Sequence, residues 1–505
     1  MSSSFQQDLP DLYEAGVVEL QDGLDAGRFN AVDLVTAYLA RIEEVNLQGP
    51  ELRAIIEVSP VALKSAAELD EERRVSGKRS MLHGIPVLLK DNIATISSEG
   101  LNTTAGSYAL LGSVPPDDAG VVKRLRKAGA IILGKANMSE LAHFRGEVPS
   151  GWSARGGQCK SAYHPKGGPS GSSSGSGVAA SIGLATVTLG TETNGSITSP
   201  TSNNNIVGVK PTVGLTSRAG VIPIAAAQDT VGPMTRSVED AAIVLSVIAG
   251  EDPNDRRTLS QPSPVPDYTK ALDINALRGK RIGVPRSSFP IGSDALPPSI
   301  CHAFDESLHV LERLGATIVD PADLPSADEI RAVDFNNPTE SPVLFTDFKI
   351  EFNAYLKWLV DVPTGVRTLK DLIQFNLDHA EVELPEHYSD QQELIMSEKT
   401  EGRGEAYGRA MGATRGIDAA LKQSGLDALV LPARNTTTPA AMAGYPTITG
   451  AMTVRMFAYP APGMPFGLSF IGTAFDEYAL IGMAYAFEQG TKTVPKTQIK
   501  KVNQS

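Results

Sequence analysis

A stretch crowded with glycine and serine occupies residues 167–177 and reads GGPSGSSSGSG. A flexible linker has this composition, but this stretch lies in mid-chain and leads directly into a helix of small residues. It also lacks the Gly-Lys-Ser/Thr ending of a phosphate-binding loop and the glycine pattern of a dinucleotide site. We therefore interpret it as a place where the backbone packs closely and several hydroxyl groups come together.

A serine hydroxyl becomes a nucleophile only when a base removes its proton. Histidine is the usual base, but none of the seven histidines lies beside a distinct nucleophile motif. A lysine serves instead when it is neutral, and burial favours the neutral form. Lys90 follows the apolar run 85–89 and is the candidate, although a lysine at a strand end is most often a surface residue.

The elements around these residues alternate between apolar strands and helices. Residues 85–89 and 130–133 read as buried strands, and residues 118–128 between them read as a helix. That order is the βαβ signature of an α/β fold. A further amphipathic helix is predicted for residues 30–45, with Asn30 as its N-cap.

Composition and charge exclude several classes of function. The net charge of −13 and the pI of about 5.2 argue against a nucleic-acid partner, because phosphate binding needs a basic face. No apolar run reaches the roughly 18 residues of a membrane span, and the N-terminus lacks the apolar stretch of a signal peptide. Two cysteines, Cys159 and Cys301, indicate reduced thiols. We expect a cytoplasmic protein that binds neither nucleic acid nor a membrane.

Five motifs follow one another along the chain in a characteristic order. They are GIPVLLKDN at 84–92, GPSGSSSGSG at 168–177, GTETNGSITSP at 190–200, VGVKPTVGLTSRAGVIP at 207–223 and AQDTVGPMTRSVEDAA at 227–242. With these motifs the chain resembles the amidase signature family from about residue 30 to 490. The resemblance implies an α/β fold with a single large mixed β-sheet flanked by helices on both faces. It also implies an enzyme that hydrolyses a carboxamide C–N bond.

The resemblance assigns roles to a Ser–Ser–Lys triad. Lys90 matches the catalytic lysine of the Gly-x-Pro-x-x-x-Lys-Asp element, and Ser196 matches the nucleophile of the Gly-Ser-Ile element. Ser172 matches a relay serine that follows a cis peptide bond. It is preferred to Ser173 and Ser174 because it keeps the family's spacing of 24 residues to the nucleophile. Ser173 matches a neighbouring serine that helps to hold the lysine.

The same resemblance implies a mechanism through an acyl-enzyme. Neutral Lys90 takes a proton from Ser172, which takes one from Ser196, and Ser196 attacks the amide carbon. The oxyanion is expected against backbone N–H groups of residues 193–196, so that Thr193, Asn194 and Gly195 are the predicted oxyanion and substrate contacts. The reaction needs no cofactor and no metal, and no residue cluster has the spacing of metal ligands.

The chain departs from many members of the family at three positions. Asn194 stands where glycine is common, Thr198 where arginine is common, and Asn205 where glycine is common. Asparagine tolerates a positive φ better than most other residues, so we expect the loop to keep its shape. All three residues of the triad are present.

Residues 150–158, SGWSARGGQ, are similar to the corresponding stretch of peptide amidases within the family. The expected partner is therefore a small-molecule or peptide amide, and a homodimer is one oligomeric state to test. Trp152 is either a core or lid aromatic or a substrate contact, and Arg155 either binds a carboxylate or caps a loop. We expect the pocket walls to come from residues 140–165 and 325–460.

The predicted organisation has an N-terminal helical segment, 1–75, packed on a catalytic domain, 76–505, with a mostly helical insertion or cover region at about 325–425. Two alternatives of function stay open. One is the amidase subunit of a tRNA-dependent amidotransferase, which needs partner subunits. The other is a non-catalytic binding protein on an amidase fold, against which the intact triad argues.

Overall fold

Short apolar runs supply the strands, in a computed structural model that describes residues 9–289, 296, 298–333, 342–401, 411–433, 437–451 and 463–491. The strands are β1 (Ile55–Val58), β2 (Pro86–Lys90), β3 (Ile131–Ala136), β4 (Trp152–Ser153), β5 (Gly157–Gln158), β6 (Val187–Glu192), β7 (Val207–Lys210), β8 (Thr230–Thr235), β9 (Arg281–Gly283), β10 (Thr317–Val319), β11 (Ala428–Pro432), β12 (Thr447–Ala451) and β13 (Gly467–Ile471).

Eleven of these strands form one mixed sheet in the order β1-β3-β2-β6-β8-β7-β12-β13-β11-β9-β10, and β4 pairs with β5 separately. Strand β2 lies parallel to β3 and β6, whereas β8 lies antiparallel to β6 and β7. Every residue of β2, β3 and β6 is buried, as expected of strands covered on both faces. The predicted α/β fold, with a single large mixed sheet flanked by helices, is confirmed.

The helices run from one end of the described chain to the other. They are α1 (Val17–Asp25), α2 (Ala31–Val45), α3 (Ala62–Ser76), α4 (Gly120–Lys127), α5 (Ser174–Ser181), α6 (Thr198–Asn204), α7 (Val238–Ile248), α8 (Pro298–Arg313), α9 (Ala327–Ala332), α10 (Pro342–Trp358), α11 (Leu369–Asp378), α12 (Ala380–Glu383), α13 (Gln392–Lys399), α14 (Asp418–Ser424), α15 (Thr437–Ala443) and α16 (Glu477–Thr491). Within the described part of the chain, none of them is long and apolar enough to cross a membrane.

Helix α2 shows how local sequence sets an element and its packing. The Asn30 side chain accepts the Asp33 N–H at 2.9 Å, and the Asp33 carboxylate accepts the Asn30 N–H at 3.0 Å. This capping box begins the helix where the sequence predicts it. The buried face, which includes Leu34 and Tyr38, joins the same hydrophobic cluster as the central strands. The division of the chain at residue 75 stays a prediction.

A second hydrophobic cluster joins helices α10 and α11 to the loops that follow β2 and β3. Phe345, Phe348 and Phe352 of α10 are fully buried there, and Phe144 packs against the first two rings at centroid distances of 5.3 and 4.9 Å. Helices α9 to α13 lie within the predicted insertion region. Its role as a cover stays a prediction.

A completely buried arginine fixes this helical region to the loop after β3. The Arg145 guanidinium donates to Glu140 Oε1 at 2.6 Å, to the carbonyl oxygens of Glu383 and Tyr388 at 2.5 and 2.6 Å, and to that of Asp390 at 3.1 Å. Both side chains of the Arg145–Glu140 pair are fully excluded from solvent. Because three of the acceptors are carbonyl oxygens within residues 383–390, one side chain holds this segment against the loop after β3.

Trp152 belongs to the same contact. Its buried ring stacks on Tyr388, with centroids 4.7 Å apart and planes 5° from parallel, and the Arg145 guanidinium lies 4.8 Å from the ring centroid. Of the two interpretations of Trp152, the structure favours a packed core aromatic.

Replacing Arg145 by methionine is expected to lower the free energy of unfolding by about 3–5 kcal/mol, because Glu140 then stays buried without its cation. Urea unfolding of Arg145→Met and of the wild type measures the change. The matched control is Arg79→Met, since Arg79 pairs with Glu72 at the partly exposed surface and its loss costs about 0–1 kcal/mol. Equal losses in the two variants would contradict the assignment.

Candidate active site

Lys90 ends strand β2, and its side chain is completely buried. Its Nζ donates to Ser172 Oγ at 2.8 Å and to the Thr191 carbonyl oxygen at 3.0 Å. Burial lowers the pKa of Lys90 to about 7, against the opposing influence of the more distant carboxylates of Glu192 and Asp229. At pH 7 roughly half of the molecules therefore carry a neutral lysine.

The Gly/Ser run places Ser172 against this lysine. The Gly171–Ser172 peptide bond is cis, as the resemblance implies. The Ser172 carbonyl oxygen accepts the Ser139 N–H at 3.0 Å, and α5 begins two residues later. A Cβ atom at Gly175 would lie 2.1 Å from the Ala54 carbonyl oxygen. The run is thus a site of close backbone packing, as the sequence indicates.

Ser173 acts on Lys90 through a shared acceptor. Its Oγ lies 3.1 Å from the Thr191 carbonyl oxygen and donates to it, and the Thr191 N–H donates back at 3.3 Å. Lys90 donates to the same carbonyl oxygen. The Ser173 N–H donates to the Ser196 carbonyl oxygen at 3.1 Å, so the run and the predicted nucleophile are brought together by a direct backbone bond.

Ser196 lies in the turn between β6 and α6 and is 7% exposed. The Glu192 carboxylate holds this turn from inside: it accepts the N–H groups of Gly195 at 2.8 Å, Ile197 at 2.7 Å and Thr198 at 2.8 Å. A carboxylate at the start of a helix satisfies N–H groups that have no helical acceptor. Sequence reasoning missed Glu192, although a carboxylate just before a predicted turn and helix is the signal for such a role.

The predicted oxyanion contacts are partly occupied. The Gly195 N–H already has Glu192 as its acceptor, which leaves the N–H groups of Thr193, Asn194 and Ser196 for the predicted role. The Thr193 hydroxyl donates to Asp229 Oδ1 at 2.5 Å, and Asn194 Nδ2 lies 3.5 Å from Thr438 Oγ1. The Gly195 N–H thus differs from its predicted role as an oxyanion donor, because it already donates to the charged Glu192 carboxylate.

Asp229 is a second residue that sequence reasoning missed. Its other oxygen accepts the N–H groups of Ile224 and Ala225 at 2.8 and 3.0 Å, and burial raises its pKa to about 6. Asp229 precedes β8 directly, so the antiparallel pairing of β8 with β6 sets it beside Thr193. That placement depends on strand pairing, which the sequence motif alone does not reveal.

Of the other departures from the family, Asn205 has a local explanation. Asn205 directly follows α6 with φ 54° and ψ 49°, a left-handed conformation in which glycine or asparagine is favoured.

Arg155 forms an ion pair with Glu57 and donates to Thr104 Oγ1 at 2.9 Å, so it ties loops together. Cys159 is buried, and burial raises the pKa of its thiol. Among the described residues, no three His, Cys, Asp or Glu side chains converge as metal ligands.

A cavity of about 630 Å³ lies at this edge of the sheet. Thr191, Thr193 and Asn92 form its inner wall, and Glu351, Tyr355 and Trp358 of α10 form another. The predicted wall segments contribute Ala142 and the residues of α10, but most of the lining comes from residues 218–231 and 254–257. Parts of the first loop lie in the motifs 207–223 and 227–242, but neither motif indicates a pocket wall, and only the fold brings the two loops to α10.

The geometry supports proton transfer between buried groups. A lysine with a lowered pKa contacts one serine hydroxyl, and a second serine lies in a turn whose backbone a carboxylate fixes. Parallel strands β2 and β6 explain the juxtaposition, because their carboxyl ends meet at the same edge of the sheet.

Comparison with known proteins gives consistent matches. The model of the family described as Amidase matches residues 33–481. A protein of Arthroderma benhamiae named as an amidase is 41% identical, covering 97% of this chain and 87% of its own length. A probable amidase of Arabidopsis thaliana is 41% identical, and the match covers 97% of this chain and 92% of that protein's length. The structure of the native peptide amidase of Stenotrophomonas maltophilia superposes with a TM-score of 0.87 at 42% identity, covering 97% of this chain and all of that one.

Replacing Lys90 by methionine is expected to raise the free energy of unfolding at pH 6 by about 2–5 kcal/mol, because the buried ammonium is removed. The folded pKa lies below the unfolded one, so between pH 7 and 10 the unfolded wild type binds a proton that the folded wild type does not. Wild-type stability therefore rises with pH, and the advantage of the variant shrinks. Urea unfolding at pH 6, 8 and 9.5 measures this. Exposed Lys64→Met is the control, and a pH-independent difference for Lys90→Met would refute the expectation.

Proposed function

The chain belongs to the amidase family and is an amidase, and from that premise we propose how it acts and on which bond. It hydrolyses the carboxamide C–N bond of a small-molecule or peptide amide through an acyl-enzyme. Ser196 is the nucleophile, Ser172 the relay and Lys90 the base. Ammonia or an amine leaves.

The contact that supports this proposal most directly is the one between Lys90 Nζ and Ser172 Oγ, 2.8 Å apart and fully buried. A lysine without an adjacent carboxylate in such surroundings is readily neutral, and its lone pair then accepts the Ser172 proton. The charged form of Lys90 also has an acceptor, because the Thr191 carbonyl oxygen accepts a hydrogen bond from its Nζ. The same group thus holds or releases a proton near neutral pH.

The nucleophile step uses the turn that Glu192 fixes. Ser172 accepts the proton of Ser196 while Ser196 attacks the amide carbon, and the chain of transfers ends on Lys90. The backbone N–H groups of Thr193, Asn194 and Ser196 are the donors for the oxyanion, and one preorganised donor stabilises such a transition state by roughly 3–4 kcal/mol. Reversal of the proton chain protonates the leaving nitrogen, and water then hydrolyses the acyl-enzyme.

A peptide amide is the substrate class that the relatives favour. The S. maltophilia protein is a peptide amidase by name, and it matches this chain over nearly its full length. The stretch 150–158, similar to that of peptide amidases, packs against the Gly/Ser run at Gly151, where an added Cβ atom would lie 2.9 Å from Pro169 and 3.2 Å from Ser174 Oγ. The alternative, an amidotransferase subunit, needs partner subunits. It is distinguished from this proposal by testing whether the purified chain, without any partner, releases ammonia.

Ser196→Ala is expected to abolish ammonia release from a panel of amides comprising a short peptide amide, an aryl amide, a fatty amide, asparagine and glutamine. The loss is at least about 10³-fold in kcat, because the attacking atom is removed. Ser172→Ala is expected to lose a similar amount. The matched control is Ser174→Ala, whose hydroxyl donates to the Ser170 carbonyl oxygen and lies outside the proton chain.

Persistence of turnover in Ser196→Ala would overturn the nucleophile assignment. A loss in Ser174→Ala equal to that in Ser172→Ala would overturn the relay assignment. Absence of turnover in the folded wild type with every amide would favour the partner-dependent subunit or the non-catalytic alternative.

The value of kcat/KM is expected to rise with pH through a midpoint near 7 and then level off, because the neutral form of Lys90 is the active one and its pKa is about 7. Initial rates on a peptide amide between pH 5 and 9 measure the profile. His143 is half-buried nearby and desolvation lowers its pKa, so His143→Gln is measured in parallel and should keep the midpoint. A profile that is flat, or that falls across this range, contradicts the role of Lys90.

A further inference from the structure

The cavity of about 630 Å³ shares its inner wall with the active site. The Thr191 carbonyl oxygen accepts from Lys90, and Thr193 lies three residues before Ser196. Both threonines line the cavity. A volume of this size suits a small ligand or a short peptide, and a position beside the nucleophile suits the part of a substrate that remains after ammonia leaves.

One face of α10 turns a carboxylate, that of Glu351, toward this cavity. Asp347, Glu351 and Tyr355 are spaced four residues apart and therefore share a face of the helix, and the last two line the cavity. Asp229 lies on the opposite wall. Burial, followed by the negative charges of Glu351 and Asp229, raises the pKa of Asp347 to about 6. Asp347 is therefore close enough to Glu351 and to Asp229 to be repelled by each.

No arginine at the cavity bonds Glu351 directly, although Arg218 is close enough for its positive charge to interact with that carboxylate. Arg218 makes two bonds to Asp255, of 2.8 and 2.6 Å, and a third to the Ala226 carbonyl oxygen at 2.5 Å. Arg256 is exposed, and Arg257 is near enough to Asp347 to lower the pKa of that carboxyl group. Among the described residues, no lysine, arginine or histidine forms an ion pair with Glu351.

Two buried residues at the cavity wall have unused hydrogen-bonding capacity. Tyr355 is 6% exposed and Asn92 is 2% exposed, and both line the cavity. The Tyr355 hydroxyl and Asn92 Oδ1 have no hydrogen-bond partner among the described residues. Ile222 and Trp358 add apolar surface beside them. A polar ligand with an apolar stem matches such a wall, since native proteins rarely leave buried polar atoms unsatisfied.

We propose that this cavity binds a positively charged group of the amide substrate, an ammonium carried by a peptide amide, with Glu351 as its counter-ion. The inference rests on the proposed function, because it assigns the cavity to the acyl part of the substrate. Glu351, which no cation bonds directly, the further negative charges of Asp229 and Asp347, and the apolar surface for a methylene stem together fit a lysine side chain or a free α-amine. Opposite charge across a partly desolvated site gives specificity more than bulk affinity.

The test compares tripeptide amides that differ only in charge. One pair is acetylated and carries lysine or its neutral isostere norleucine at the middle position, and a third peptide carries norleucine with a free N-terminal amine. The wild type is expected to favour one of the cationic peptides over the neutral one by about tenfold in kcat/KM, as for a charge-assisted hydrogen bond. The peptide favoured identifies the source of the ammonium.

Glu351→Gln is expected to remove that preference and to leave the neutral peptide within about twofold of wild type, because only the charge is lost. The matched control is Glu43→Gln, an exposed carboxylate of α2, which should keep the preference. One molar NaCl is expected to reduce the wild-type preference as well. Equal rates for all three peptides, or an unchanged preference in Glu351→Gln, would refute the inference while the proposed function stands.

Calorimetric binding separates the two proposals if no peptide is cleaved. The Ser196→Ala protein is titrated with the same peptides, and the cationic one is expected to bind about tenfold more tightly than its neutral isostere. The difference should vanish in Ser196→Ala combined with Glu351→Gln. Tighter binding without turnover supports the cavity assignment and counts against the proposed function, whereas equal binding of all peptides counts against the cavity assignment.

Discussion

The burial of one lysine at the end of a central strand is the constraint from which the active site follows. An ammonium group deprived of water and of a carboxylate partner is unstable, so Lys90 needs oxygen acceptors that remain in place whether it is charged or neutral. The Thr191 carbonyl oxygen and the Ser172 hydroxyl meet that need. Both come from backbone segments fixed by the sheet and by the Gly/Ser run. The proposed chemistry therefore depends on close backbone packing as much as on the three proposed side chains.

The fold was readable from the sequence, and so were the residues proposed as the triad, because each has a local signature. The apolar run before Lys90 predicts β2, the capping box at Asn30 predicts α2, and the ordered motifs align Lys90, Ser172 and Ser196 with a known family. Local patterns of this kind involve residues that are near one another in the chain.

The features that escaped prediction arise from contacts between distant segments. Asp229 reaches Thr193 only because β8 pairs with β6, and the cavity exists only because loops 218–231 and 254–257 meet α10. A motif also does not show which acceptor a backbone N–H will bind. The Gly195 N–H donates to the Glu192 carboxylate, whereas the resemblance assigns it to the oxyanion. The predicted wall segments contribute Ala142 and residues of α10 to this cavity, and the rest of its lining comes from other loops.

The Gly/Ser run has an implication for how such proteins change over time. Its repetitive composition looks permissive, yet a Cβ atom at Gly171 would lie 2.3 Å from Ser139 Oγ, and one at Gly177 would lie 2.8 Å from Asn204 Nδ2. Gly175 has even less space, against main-chain atoms of another segment. Substitution is thus restricted at several glycines of a run whose composition is simple. A search that masks low-complexity sequence as uninformative would discard a stretch in which close packing limits the residues that fit.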